Sequence, residues 1–162
     1  MMSEKDLKLI DAIRIAMEAE EKAAAYYADS AQKTSNPNGR ALFEQLAEFE
    51  RYHIQKLTDL EKSLWEKGVF IGYKGRELTI QAPSEVTKTR EQNKLSMMDI
   101  IALALDLERE AAKRYKALAK QTADPDGKAM FERLAREEQI HYAILYSASE
   151  NLNRHGVWNW SK

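Results

Sequence analysis

The 162-residue sequence contains no cysteine, which removes disulfides, thiolate zinc sites, iron–sulfur clusters and a cysteine nucleophile from consideration. Any metal must therefore be held by nitrogen and oxygen donors. Proline and glycine are scarce, at 3 and 6 residues, too few for a turn-rich sheet fold. An excess of one charge is also missing: 25 basic side chains stand against 26 acidic ones, which leaves no basic face for a nucleic-acid partner. No run approaches the roughly 20 apolar residues that span a bilayer. The charged, amphipathic stretch from Met1 to Ile15 lacks the apolar centre of a secretion signal. A soluble cytoplasmic protein with neither membrane nor nucleic-acid partner is expected. The composition that remains, 44% hydrophobic and 31% charged, suits charged helices over one apolar core, and so a single all-α domain.

Ser3 and Asp6 form a capping pair ahead of Leu7, Ile10, Ile13, Met17 and Ala24, whose spacing predicts a helix to about Lys33. In the turn that follows, Asn36 is placed to cap a second helix with Pro37 at its first position, running to about Lys67 and closed by Gly68. Residues 68–95 break the pattern. Within them 69–76 and 78–80 read as an extended or hairpin segment, and Pro83 excludes continuous helix. Ser96 with Asp99 is expected to open a third helix carrying Ile100, Leu103, Leu107, Ala111 and Leu118. Asp124-Pro125 opens a fourth that reaches about Arg154 before Gly156. The chain thus divides into hairpin one (3–67), crossover (68–95), hairpin two (96–154) and tail (155–162). In the tail His155 is expected at the surface, and Trp158 and Trp160 either cap the bundle end or contact a partner.

The two hairpins are copies of one another at an offset of 88. Fifteen of the 34 positions in 20–53 recur in 108–141, among them Glu20/Glu108, Tyr27/Tyr115, Pro37/Pro125, Gly39/Gly127, Glu50/Glu138 and His53/His141. A two-unit repeat with a long connection is not a solenoid, because each hairpin has an apolar face that only the other can bury. The expected product is a four-helix bundle with a pseudo-two-fold axis. Its crossover of 28 residues could reach about 90 Å at ~3.3 Å each, enough to return along the whole bundle.

Each copy supplies a Glu, a Tyr seven residues later, and Glu-x-x-His. Glu20 and Glu50 flank the first turn symmetrically, as Glu108 and Glu138 flank the second, at about 15 residues or ~22 Å from it. All four carboxylates therefore meet at mid-bundle, with His53 and His141 on the same faces as Glu50 and Glu138. Burying even one unpaired carboxylate costs several kcal/mol, and nothing basic in these motifs offsets four. Two divalent cations would, and two imidazoles complete the donor set. Mixed carboxylate and imidazole ligation favours iron or manganese over a closed structural zinc; two iron ions, Fe²⁺/Fe³⁺, are expected, with manganese or zinc as substitutes. Tyr27 and Tyr115 lie two turns from their glutamates on the same face. They are candidate catalytic residues that donate hydrogen bonds to a ligand carboxylate, with core packing as the plainer reading.

These motifs, Glu20-x-x-Ala23-x-x-x-Tyr27, Glu50-Arg51-Tyr52-His53, Glu108-x-x-Ala111-x-x-x-Tyr115 and Glu138-Gln139-Ile140-His141, resemble the rubrerythrin branch of the ferritin-like di-iron carboxylate proteins. The resemblance implies a ferritin-like bundle with Glu20 and Glu108 as terminal ligands, Glu50 and Glu138 as bridging ligands, and His53 and His141 as nitrogen ligands. It further implies an oxidoreductase that reduces hydrogen peroxide, or oxidises ferrous iron with dioxygen or peroxide. Two departures stand out. The four-cysteine rubredoxin domain is lacking, so an external electron donor is required. Ala111 stands where rubrerythrins carry an additional glutamate, leaving a symmetric six-ligand set closer to that of bacterioferritins. Arg51 occupies the position of their haem-ligating methionine, so haem is not expected. Iron storage without haem, and a metal-free structural bundle, are the alternative readings. A homodimer is the expected assembly. Glu18, Glu21, Glu44, Glu110, Glu132 and Glu137 read as solvated helix faces, the neighbours Glu21 and Glu137 pointing about 100° away from their ligands. Met1, Met2, Met17, Met97, Met98 and Met130 show no ligand spacing and read as packing.

Overall fold

The computed structural model describes residues 3–76, 79–83 and 89–161. Four helices follow one another: α1 (Glu4–Lys33), α2 (Pro37–Lys67), α3 (Lys94–Gln121) and α4 (Pro125–His155). The local chemistry sets most of these bounds. Ser3 Oγ accepts from Asp6 N at 3.1 Å while the Asp6 carboxylate takes the Ser3 amide, a reciprocal capping box that satisfies two otherwise free donors. Asn36 and Asp124 each accept from two backbone amides of the following turn, with proline in the first helical position. Gly68 and Gly156, one repeat apart, close α2 and α4 with φ of 67° and 68°, a left-handed conformation that any side chain would strain. Replacing Asn36 or Asp124 by alanine is expected to cost about 1 kcal/mol each. Chemical denaturation would read this, and losses under a few tenths of a kcal/mol would show that the caps are dispensable.

The start of α3 departs from expectation. The helix begins at Lys94, ahead of the Ser96–Asp99 pair, and Asn93 precedes it without a side-chain cap. A tertiary contact holds the extra turn: Lys94 Nζ donates to the carbonyl of Asn153 near the end of α4, at 2.7 Å. The hairpin reading of the crossover is also corrected. No strand occurs among the described residues, and Leu78 lies outside them. Side chains take the place of a pairing strand, since Gln81 N donates to Gln45 Oε1 at 2.9 Å and Gln45 Nε2 returns a bond to Gln81 O at 2.8 Å.

α1 packs along α2, α3 along α4, and α1 also against α3. Direction follows from what meets at each end. Lys5 and Leu9 of α1, Gly68 and Phe70 after α2, and Gln121–Asp124 of the second turn line one depression. Asn36 and Pro37 of the first turn lie beside Arg90–Asn93 at the other end. The crossover therefore travels the length of the bundle, and α2 and α3 run parallel. On its way it passes between α4, where Phe70 crowds Gly127, and α2, where Tyr73 meets Tyr52.

The apolar interior falls into two clusters, one around Phe43, Leu46, Ile101 and Leu145, the other around Ile13, Leu57, Phe131 and Leu134. Met97 and Met130 are buried within them; Met1 and Met2 lie outside the described residues. The tail caps the bundle. Trp158 is fully buried, edge-on to Phe43 at 5.8 Å, and its Nε1 donates to Glu91 at 2.9 Å. Trp160, half-buried, donates to the Ile80 carbonyl at 3.0 Å. His155 is exposed, as the last residue of α4 rather than the first beyond it. No helix is long and apolar enough to cross a membrane among the described residues.

Candidate metal centre

Between the two apolar clusters lies a polar layer. Glu20 on α1, Glu50 and His53 on α2, Glu108 on α3, and Glu138 and His141 on α4 are each at most 1% exposed. Their arrangement follows from helical spacing and from two turns of equal length. Glu20, Glu50, His53 and Glu138 bring one donor atom each to within 4.8 Å of one another, and so do Glu50, Glu108, Glu138 and His141. The two groups share Glu50 and Glu138. Both imidazoles turn Nδ1 inward: that of His53 lies 3.0 Å from Glu20 Oε2 and 2.8 Å from Glu138 Oε1, and that of His141 lies 3.2 Å from Glu50 Oε1.

Apart from the hydrogen bond between His53 and Glu20, these groups leave one another unsatisfied. Among the described residues, both oxygens of Glu50, Oε2 of Glu108, Oε1 of Glu138 and both nitrogens of His141 have no hydrogen-bond partner, the short approaches lacking hydrogen-bond alignment. Buried polar atoms without partners are uncommon in folded proteins, and bound cations would supply partners for the carboxylate oxygens and the inward imidazole nitrogen. Protonation tells the same story. Burial raises the Glu50 carboxyl well above the usual carboxylate range, and the neighbouring carboxylates of Glu138, Glu20 and Glu108 raise it further. Glu138 is raised well above its ordinary value by burial first and then by Glu108 and Glu20. Burial acts on Glu108 in the same direction, but the nearby His141 and a hydrogen bond from Tyr27 outweigh it and hold this carboxyl low. An oxygen-rich set with two imidazoles, short of positive charge and of donors, fits a pair of divalent cations.

Of the two tyrosines, Tyr27 donates its hydroxyl to Glu108 Oε1 at 2.6 Å, across from one hairpin to the other. The Tyr115 hydroxyl, equally buried, has no partner among the described residues. Tyr27→Phe should therefore cost about 1.5–3 kcal/mol, the range for a hydrogen bond to a charged group, while Tyr115→Phe should be nearly neutral. Equal losses in denaturation midpoints for the two variants would contradict this division.

Glu137 is not the solvated residue its sequence position implies. It does point away from its neighbour Glu138, but the crossover covers that side. The residue is fully buried, and it accepts from His53 Nε2 at 2.9 Å, Tyr73 Oη at 2.6 Å, Arg133 Nε at 2.7 Å and the Arg76 amide at 3.3 Å. Burial would raise its carboxyl; the hydrogen bonds from His53, Tyr73 and Arg133 prevail and lower it. His53 responds in the opposite sense. Burial works against its protonated form, yet bonds to Glu137 and Glu20 carry the imidazole well above its ordinary value. Gly75, at φ 82°, lies so close that a Cβ there would collide with Arg133 and Glu137. The sequence carried one signal of this: Glu137 pairs with Phe49 in the repeat, an unlike pair directly beside the ligand pair Glu50/Glu138. Glu18, Glu21, Glu44, Glu110 and Glu132 are exposed, as expected. A groove of about 340 Å³ between α3 and α4, lined by Arg109, Ala112, Lys113, Gln139 and Tyr142, reaches Glu108 from solvent.

A hypothetical protein from Pyrococcus furiosus has a similar structure, with a TM-score of 0.71 and 25% sequence identity over 90% of each chain. No curated protein matches the sequence. The family model for rubrerythrin matches residues 2–61 and 99–157, which takes in most of both hairpins with all six converging donors and passes over the crossover. With a ferritin-like bundle of four helices, a duplicated Glu and Glu-x-x-His pattern and a match across most of its length, the chain belongs to the rubrerythrin family.

Proposed function

We propose that the protein is a di-iron oxidoreductase that reduces hydrogen peroxide, drawing electrons from an external donor. The observation that carries this reading is the overlap of two ligand groups at Glu50 and Glu138, which suits two ions sharing bridging carboxylates. Glu20 with His53 would complete one position and Glu108 with His141 the other. Two ferrous ions, held there, would supply the two electrons that, with two protons, convert one peroxide to two waters. The chain supplies the rest. Its six donors come from four packed helices, so their geometry is held in advance, and their burial keeps bulk water from the reacting centre. Tyr27 fixes the orientation of Glu108 and Glu137 that of His53. Ala111 leaves no further carboxylate one turn beyond Glu108 to exchange with a histidine ligand.

Anaerobic loading with Fe²⁺, followed by rapid mixing with peroxide and separately with dioxygen, tests the proposal. Faster oxidation by peroxide is expected. A faster reaction with dioxygen, continuing as further Fe²⁺ is added, would replace peroxide reduction by ferrous iron oxidation, with iron as the substrate. A cage-sized native mass, instead of the expected dimer, would favour storage.

A further inference from the structure

The bundle is pseudo-symmetric, but the surroundings of its two histidines are not. At the outer edge of His53, Nε2 is bonded to Glu137 at 2.9 Å, and three further donors, from Tyr73, Arg133 and the Arg76 amide, hold that carboxylate in place. The outer edge of His141 meets the pseudo-symmetric residue, Phe49. The two rings are 5.2 Å apart, and His141 Nε2 has no hydrogen-bond partner among the described residues. Phe49 is in turn covered by the Arg76 guanidinium, 4.8 Å from its ring centre. One crossover segment thus places a carboxylate behind one imidazole and seals an apolar ring behind the other.

A carboxylate bonded to the far nitrogen of a metal-binding imidazole does two things. It fixes the ring so that the near nitrogen faces the site, and it makes that nitrogen a stronger donor. It also brings a negative charge close to one ion position and not to the other. Glu50 and Glu138 are common to both positions and cannot distinguish them, so the difference lies at the remaining ligands: the Tyr27 hydroxyl is bonded to Glu108 at one position, and Glu137 stands behind His53 at the other.

We propose that Glu137 makes the two metal positions unequal, the Glu20/His53 position taking up its ion first and more tightly than the Glu108/His141 position. This rests on the two-ion reading given above. Glu137 acts through His53 and is a positioning residue. Because Tyr73 and Arg76 belong to the crossover, the same contact makes the seating of that segment part of the stronger position.

Anaerobic Co²⁺ titration, followed by calorimetry and visible absorption, tests the idea, with single-histidine variants isolating each position. His141→Ala should bind its first Co²⁺ at least about tenfold more tightly than His53→Ala. Adding Glu137→Ala should weaken the His141→Ala protein by about 10–100-fold, the usual effect of losing such a partner, and leave the His53→Ala protein unchanged. Glu137→Gln keeps an oxygen for the Nε2 proton, so its loss should be smaller but confined to the same background; it carries the test if the alanine variant does not fold. Equal affinities in the two histidine variants, or an effect of Glu137 on both backgrounds alike, would overturn the proposal while leaving the two-ion reading standing. A wild-type protein that takes up no Co²⁺ would overturn both.

Discussion

Glu50→Ala should fold, yet lose the metal pair and with it reactivity toward peroxide. Glu50 belongs to both ligand groups, so its removal takes a donor from each position at once, whereas loss of Glu20 or Glu108 touches only one. The expected loss exceeds the roughly 10–100-fold typical of removing an outer partner of a ligand. The fold should tolerate the change. Neither Glu50 oxygen has a hydrogen-bond partner among the described residues, and burial and three neighbouring carboxylates oppose its ionised form. Truncation therefore removes a repelling group at the cost of a small cavity. The metal-free variant should melt within a few degrees of the metal-free parent, while metal content falls below one ion per chain. If Glu50→Ala still binds two irons and reacts with peroxide at the parent rate, the ligand assignment is wrong.

Trp158→Ala should produce the largest loss of stability, about 3–5 kcal/mol, as for other buried large-to-small changes. The indole is completely buried at the end of the bundle that carries the first turn. It lies so close to Gly39 that a Cβ built there would come within 2.5 Å of the ring. The space emptied is bounded by rigid parts, the first turn of α2 and the Phe43 ring, so collapse around it would be incomplete. For a chain of this size the loss corresponds to a fall in melting temperature on the order of 10 °C. Trp160→Ala, which removes a half-buried ring, should cost clearly less. A Trp158→Ala protein within 1 kcal/mol of the parent would show that the tail is not part of the fold.

How much of this could be read from the sequence depended on how local the determining chemistry was. The caps at Ser3, Asn36 and Asp124, the closing glycines Gly68 and Gly156, and the 88-residue repeat are short-range signals, and they located the helices and both turns. Equal distances from those turns then brought Glu20, Glu50, Glu108 and Glu138 to one height, with His53 and His141 beside them. The long-range contacts were hidden. The first turn of α3 forms ahead of its apparent cap because Lys94 reaches the end of α4. Residues 69–76 have the apolar pattern of a strand, but their partners are side chains of α2 and α4, which no local pattern specifies. Glu137 departs from its sequence expectation for the same reason. Its direction on the helix was right, but whether that direction meets water depends on a segment some sixty residues earlier in the chain, joined to it by the 64-residue separation of the Tyr73 contact. Trp158 likewise meets its partners only across the whole fold, bonding a residue 67 positions away.

The proposed function requires a pair of cations to hold together the buried carboxylates at the middle of the bundle. The most direct measurement is the metal content of protein loaded anaerobically with Fe²⁺ and freed of excess. Two ions per chain are predicted. A chain that retains none, and folds no less stably for it, would contradict the account.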